Sequence, residues 1–260
     1  MTITKTIRTS LADHYKSYYS QISLLPAMIT CNGEILHDER NLAKKTIMTN
    51  DEGNSIHIVV KRFRTPGWLR GYVDLNLRIS KALRSMNNAN RLLELGILTP
   101  DPIGCIECLE FNCMRQSYYI SRFWEQNYRL STLLYQGISS GVDQQIIIGE
   151  LASFTAKQHD RGILHLDYNP GNILTRLEGD KIEFALVDLN RIRFGRLGWK
   201  ERISGLVRLT LLPEKMRMMG KYYSEIYGVD QEKFCRELEQ AHRQFWNRRD
   251  RLKKILGILK

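Results

Sequence analysis

His165, Asp167 and Asn172 stand in the order His-x-Asp-x-x-x-x-Asn within residues 164–174, after an apolar run of helical period and before an apolar strand-like run. A carboxylate five residues ahead of a carboxamide, on a loop held at both ends by buried apolar residues, suits phosphoryl transfer. Asp167 would stand beside a hydroxyl nucleophile and Asn172 beside a metal ion. Asp and Asn also cap loops and helices in many proteins, so the pattern needs partners elsewhere in the chain.

Two further stretches supply them. The run Phe184-Ala-Leu-Val-Asp188-Leu-Asn190-Arg191, with Asp188 sixteen residues beyond Asn172, predicts a short buried strand ending on an acid, where a second metal-binding carboxylate belongs. Upstream, Ser55-Ile-His-Ile-Val-Val60-Lys61-Arg-Phe63 is β-branched and apolar with a lysine near its end, a strand that aims an ammonium at nucleotide phosphates.

Four blocks carry a resemblance to a known family: Val60-Lys61-Arg-Phe63, residues 90–103 with Pro100 and Pro102, residues 162–174, and Val187-Asp188-Leu-Asn190-Arg191. The chain resembles the lipopolysaccharide core kinases (Kdo/WaaP, InaA-type), a branch of the protein-kinase-like fold, over roughly residues 30–230. The resemblance implies an α+β, two-lobed fold, with a small antiparallel-sheet N-lobe over residues 1–124 and a mainly helical C-lobe over 125–260. It implies an ATP-dependent phosphotransferase acting on Kdo or heptose of the lipopolysaccharide inner core. Asp167 is then the catalytic acid–base residue, Lys61 contacts the α and β phosphates, and Asn172 and Asp188 hold Mg²⁺. His165 braces the loop backbone.

The elements that must position these residues are legible with two departures. Leu11, Tyr15, Tyr18 and Ile22 predict a leading helix over residues 1–25 ending at Pro26, and Asn32-Gly33 predicts a hairpin turn within two strands over 28–49. The segment 37–42, where a phosphate-covering loop belongs, contains no glycine, with Arg40-Asn41 resembling the family's version. Residues 69–95 predict the helix bearing the lysine's carboxylate partner, yet Ser85 and Asn87 occupy the expected positions and Glu94 is its only acid beyond Lys81. Strands follow at 103–109 and 116–121, a connector at 122–125, and a helix at 141–161 closed by Gly162. His159, on the inward stripe of that helix, has the setting of a satisfied core histidine.

Beyond Arg196 the pattern is helical, with Leu206, Leu209, Leu212, Phe234, Leu238, Phe245, Leu252, Ile255, Leu256 and Leu259 as core candidates. The last turns, 248–260, are basic on one side and apolar on the other. They suit a closing helix and an interfacial anchor equally.

A 260-residue chain with 43% hydrophobic residues supports one large domain or two lobes. No apolar run approaches the roughly 20 residues of a membrane span and no signal-like segment leads the chain. The expectation is a cytoplasmic protein, peripheral on the inner membrane face. Five cysteines then read as reduced thiols, and Cys105-x-x-Cys108 lies on a strand whose i and i+3 positions face opposite ways, against a zinc site. Of the net charge of +11, residues 191–260 carry 18 basic against 8 acidic side chains, a surplus of ten.

That basic third attracts an anionic glycolipid or an anionic membrane surface, and no nucleic-acid partner is expected. Arg191, Arg193 and Arg196, just past Asp188, are the candidate grips on the acceptor's anionic groups. Two other readings share these residues: a kinase for a protein or soluble small molecule, and a pseudokinase-like binding scaffold that keeps the fold without turnover.

Overall fold

The computed structural model describes residues 5–29, 32–38, 41–64, 67, 71–72, 79–111, 113–135, 142–179, 181–209 and 211–255. The chain divides into two compact units, Met1–Glu125 and Gln126–Lys260.

Among the described residues, the first unit contains a six-stranded antiparallel sheet flanked by helices. Its strands are β1 (Lys5–Leu11), β2 (Glu34–Asp38), β3 (Leu42–Thr49), β4 (Ser55–Phe63), β5 (Pro102–Glu110) and β6 (Cys113–Arg122), ordered β1-β5-β6-β4-β3-β2. Alternation along β4 sends Ile58 and Val60 into a core with Ile103, Ile106, Tyr118 and Ile120. Helix α1 (Tyr19–Met28) and the 3₁₀ turn before it close this core with Tyr15, Tyr18, Ile22 and Leu25. Each fully buried aliphatic side chain there contributes on the order of 1.5–3 kcal/mol.

The leading helix predicted over 1–25 is corrected. Residues 5–11 form a strand paired with β5 from Lys5↔Glu110 to Leu11↔Gly104. Thr6, Ile7 and Thr9 are β-branched and fit a pleated edge. Gly104 permits the pairing, because a Cβ there would lie 2.5 Å from the Ser10 carbonyl oxygen. Helical structure begins only at Asp13, and Pro26 lies inside α1 rather than ending it. Asn32-Gly33 is not the hairpin turn itself: Gly33, at φ +96°, leads into β2. The β3–β4 turn at 50–54 carries Gly53 at φ +86°.

Helix α2 (Lys81–Glu94) is capped by the Ser80 hydroxyl, which accepts from the Leu83 N–H at 3.0 Å. Within the predicted 69–95 helix, residues 69–70 and 73–78 lie outside the described residues, as do Arg40 of the predicted phosphate loop and Thr65-Pro66.

The second unit is mainly helical. In order it contains β7 (Tyr128–Arg129), α3 (Leu130–Tyr135), α4 (Gln144–Asp160), β8 (Ile163–His165), β9 (Ile173–Glu178), β10 (Lys181–Leu186), β11 (Ile192–Phe194), α5 (Trp199–Leu206), α6 (Pro213–Ile226) and α7 (Gln231–Ile255). Asp143 caps α4 by accepting from the Gln145 N–H at 2.9 Å. Gly162 ends that helix at φ +70°, and a Cβ on it would sit 2.5 Å from the Gly195 carbonyl oxygen. Only glycine combines that backbone angle with that approach, and the approach lets β8 pair with β11 just ahead of Asp167.

Leu206, Leu209, Phe234 and Leu238 are buried as the helical pattern predicts. Leu212 and Leu252 are corrections: they are 49% and 59% exposed, Leu212 as the residue that caps α6 and Leu252 on the outer side of the last turns. Leu256 and Leu259 lie outside the described residues. The six-stranded sheet followed by a helical unit is the α+β, protein-kinase-like class that the four sequence blocks imply.

Candidate active site

The loop 166–172 is fixed by its own amides. His165 Nε2 is 3.0 Å from the Val187 carbonyl, and its Nδ1 accepts the Asp167 N–H at 3.1 Å. A ring nitrogen facing a carbonyl must be the protonated one, so His165 is the Nε2–H tautomer with Nδ1 as acceptor. The histidine thereby ties the loop to the segment carrying Asp188, the bracing role the resemblance implies. Tyr168 locks the loop to α4: its buried hydroxyl lies 2.9 Å from Thr155 Oγ1 and accepts from Gln158 Nε2 at 3.1 Å. Burial pushes that phenol up to about 12, so it stays protonated.

Asn172 donates through Nδ2 to the Asp167 carbonyl at 2.8 Å. A carbonyl only accepts, so the amide nitrogen is the end turned inward and Oδ1 is the atom left to meet a cation. Asn169 makes a second brace, donating to the Asp167 carbonyl at 3.1 Å and to Asp167 Oδ1 at 3.4 Å. The second carboxylate oxygen of Asp167 takes no hydrogen bond among the described residues, and the side chain is half-buried.

The β9–β10 ladder closes at Ile173↔Leu186, and one step beyond it the Val187 N–H donates to the Asn172 carbonyl at 3.0 Å. Asn172 and Asp188 therefore stand side by side at the same end of one hairpin. Asp188 is held in the left-handed region, φ +58°, and Asn190 Nδ2 donates to its Oδ1. A carboxylate and a carboxamide oxygen are the hard oxygen donors that Mg²⁺ takes, so these residues fit the ion that the resemblance implies.

The motif spacing assigns no role to Asn169 or Asn190. Both follow an aspartate by two residues, a spacing at which an amide reaches back to a neighbouring carboxylate.

Lys61 lies in the first unit, half-buried on the face of β4 opposite Ile58 and Val60, with Tyr119 as its cross-strand partner. Its Nζ is 5.6 Å from the Phe63 ring, and Lys81 of α2 approaches the same ring at 6.0 Å. Ser85, at a position where the carboxylate partner of Lys61 is expected, is buried and donates to the Lys81 carbonyl at 2.8 Å. Arg193 pairs with Glu201 of α5, while Arg191 and Arg196 are exposed.

His159 has the structural setting its stripe predicts, with Nδ1 2.7 Å from the Tyr223 hydroxyl. Burial, reinforced by the nearby Arg202 guanidinium and only partly offset by Asp160, pulls the ring down to about 4. The folded protein thus holds a neutral imidazole, whereas the unfolded chain takes a proton near pH 6.5. This contribution to stability is complete above about pH 6.5 and is lost as pH falls toward 4, by at most about 1.4 kcal/mol per unit. Urea midpoints at pH 7, 5.5 and 4.5 should fall in that order. A His159 ring resonance that titrates near 6.5 in the folded protein would contradict this.

Three comparisons place the chain among known proteins. Residues 40–218 match the model of the lipopolysaccharide kinase (Kdo/WaaP) family. A 3-deoxy-D-manno-octulosonic acid kinase of Mannheimia succiniciproducens is 30% identical over 150 residues, covering 56% of this chain and 60% of that protein. The chain thus matches less than two thirds of that relative's length. A solved structure described as WaaP in complex with acyl carrier protein superposes with a TM-score of 0.61 over 93% of this chain and 97% of the other, at 15% identity, a likeness of fold.

Proposed function

The chain belongs to the lipopolysaccharide kinase (Kdo/WaaP) family, and from that premise we propose that it transfers the terminal phosphoryl group of ATP to a hydroxyl of a lipopolysaccharide inner-core sugar, Kdo or heptose. The observation that carries the reading is the hydrogen-bonded frame that brings Asp167, Asn172 and Asp188 to one end of the β9–β10 hairpin. Asp167 offers its unengaged carboxylate oxygen to the acceptor hydroxyl and takes or orients its proton. Asn172 Oδ1 and the Asp188 carboxylate hold Mg²⁺, which when bound neutralises charge on the phosphates. Lys61, in the first unit, is assigned the α and β phosphates by the family pattern.

Labelled ATP with Mg²⁺ and a panel of Kdo-lipid A, heptosylated core, free sugar and generic protein tests the acceptor class. Label on the glycolipids supports the reading; label on protein or free neutral sugar favours another kinase, and no label with retained ATP binding favours a scaffold.

Such an acceptor lies at a membrane surface, and we propose peripheral contact on its cytoplasmic side through the end of α7. No helix among the described residues is long and apolar enough to cross a membrane. Leu252 is exposed beside Arg248 and Arg251, an apolar residue flanked by cations. Each basic residue near an anionic surface contributes about 1 kcal/mol. Sedimentation with anionic vesicles should be strong at low salt and weak at high salt, and binding that ignores salt or survives deletion of residues 248–260 would contradict the contact.

A further inference from the structure

A cavity of about 400 Å³ opens beside Asp167 within the second unit. Its lining includes Leu166 and Asp167 of the loop, Tyr135 at the end of α3, Arg208, and Phe245 with Arg249 from α7. Apart from Asp167 the lining contains no acid among the described residues, and it has two guanidinium groups. The charge balance therefore favours an anion next to the proposed proton acceptor.

Arg208 is held and yet under-used. Its Nη1 donates to the Leu166 carbonyl at 2.8 Å, while Nε is buried without a hydrogen-bond partner and Nη2 takes none among the described residues. The Nε–Nη2 edge is the one that pairs side-on with a carboxylate. A buried, unsatisfied donor is costly.

Arg249 is positioned from its own helix. Its guanidinium carbon lies 4.8 Å from the Trp246 ring centroid, and Trp246 Nε1 donates to His242 Nε2 at 2.8 Å. His242 is buried, and burial lowers its pKa. Buried Lys215 donates to the Leu134 carbonyl and lies 5.4 Å from the Tyr135 ring. Tyr135 and Phe245 supply the aromatic faces against which a sugar ring packs. Arg208 falls within the family-matched span 40–218, whereas Phe245 and Arg249 lie beyond it. The wall contributed by α7 thus lies outside the family-matched span.

We infer that this cavity is an acceptor pocket for a carboxylate-bearing sugar, with Arg208 and Arg249 as the residues that select the acid over a neutral sugar. The inference rests on the kinase reading above and narrows its acceptor to the sugar acid. It also moves the acceptor grip away from Arg191, Arg193 and Arg196, none of which lines the cavity.

The test uses the full chain without nucleotide. The methyl glycoside of 3-deoxy-D-manno-octulosonic acid, its carboxyl-reduced alcohol and inorganic phosphate are titrated by NMR into the wild type, Arg208→Lys and Arg249→Ala, each checked by thermal melting. Arg208→Lys keeps a donor for Leu166 but loses the side-on pair, and Arg249→Ala removes an exposed side chain. The wild type should bind the acid at least tenfold more tightly than the alcohol (about 1.4 kcal/mol), with phosphate competing weakly. Both variants should lose most of that preference and, in turnover, raise the acceptor KM with little change in the ATP KM.

Equal binding of acid and alcohol by the wild type, an unchanged preference in both folded variants, or phosphate competing as well as the acid would overturn the inference. If the variants leave acceptor binding unchanged while the wild type phosphorylates the sugar acid, the pocket assignment fails and the kinase reading stands. If the arginine-dependent preference is found but no sugar is phosphorylated, the pocket stands and the kinase reading fails.

Discussion

Asp167→Asn should lower phosphoryl transfer by roughly 10²–10⁴-fold, the usual contribution of a positioned general base, with the melting temperature and ATP binding nearly unchanged. The substitution preserves volume. It also preserves the frame, because the loop is held through the Asp167 backbone: its carbonyl accepts from Asn169 and Asn172, and its N–H donates to His165 Nδ1. An asparagine still presents Oδ1 to Asn169, so the change removes proton affinity and charge and little else. The loss should appear in kcat and kcat/KM together, the pattern of an interaction made in the transition state. Single-turnover transfer in the folded variant gives the number. Wild-type turnover there would remove Asp167 from the chemistry.

Asp188→Asn should also cost orders of magnitude, and in a different coordinate. Asp188 stands at φ +58°, in a region where asparagine is among the few side chains that sit without strain. Asn190 can still donate to the Oδ1 that remains. The backbone and its hydrogen bond therefore survive while the negative charge is lost, and hard cations bind carboxylates far better than carboxamides. The Mg²⁺ concentration for half-maximal rate should rise at least tenfold and be partly overcome by added Mg²⁺, whereas Asp167→Asn should not respond to Mg²⁺. An unchanged Mg²⁺ dependence would show that the ion is held elsewhere.

How much of this was legible in the sequence depends on how local the determinant is. Asp167, Asn172 and Asp188 sit on a loop and a hairpin whose geometry is set by residues within about twenty positions, and there spacing carried the information. The alternation of β4 likewise placed Lys61 on the face away from Ile58 and Val60. The first strand was missed because Leu11, Tyr15, Tyr18 and Ile22 fall at helical intervals, whereas pairing with β5 nearly a hundred residues away decides that 5–11 is extended. Leu212 and Leu252 fit the apolar stripe but not the ends of helices, where packing stops.

Arg208 and Arg249 carried no local signal. The first is singled out by a carbonyl 42 residues earlier in the chain, and the second by a cavity that α7 completes from beyond the matched family span. Arg191, Arg193 and Arg196 drew attention through nearness in sequence to Asp188, yet Arg193 is engaged by Glu201 through the turn leading into α5.

The most direct test of the central claim is product analysis after wild type and Asp167→Asn are incubated side by side with ATP, Mg²⁺ and Kdo-lipid A. The wild type is expected to form ADP and a new sugar phosphomonoester in equal amounts, seen by phosphorus NMR and mass spectrometry of the glycolipid, while the variant forms neither at a comparable rate. ADP accumulating without a phosphorylated glycolipid, or equal product from both proteins, would contradict the account.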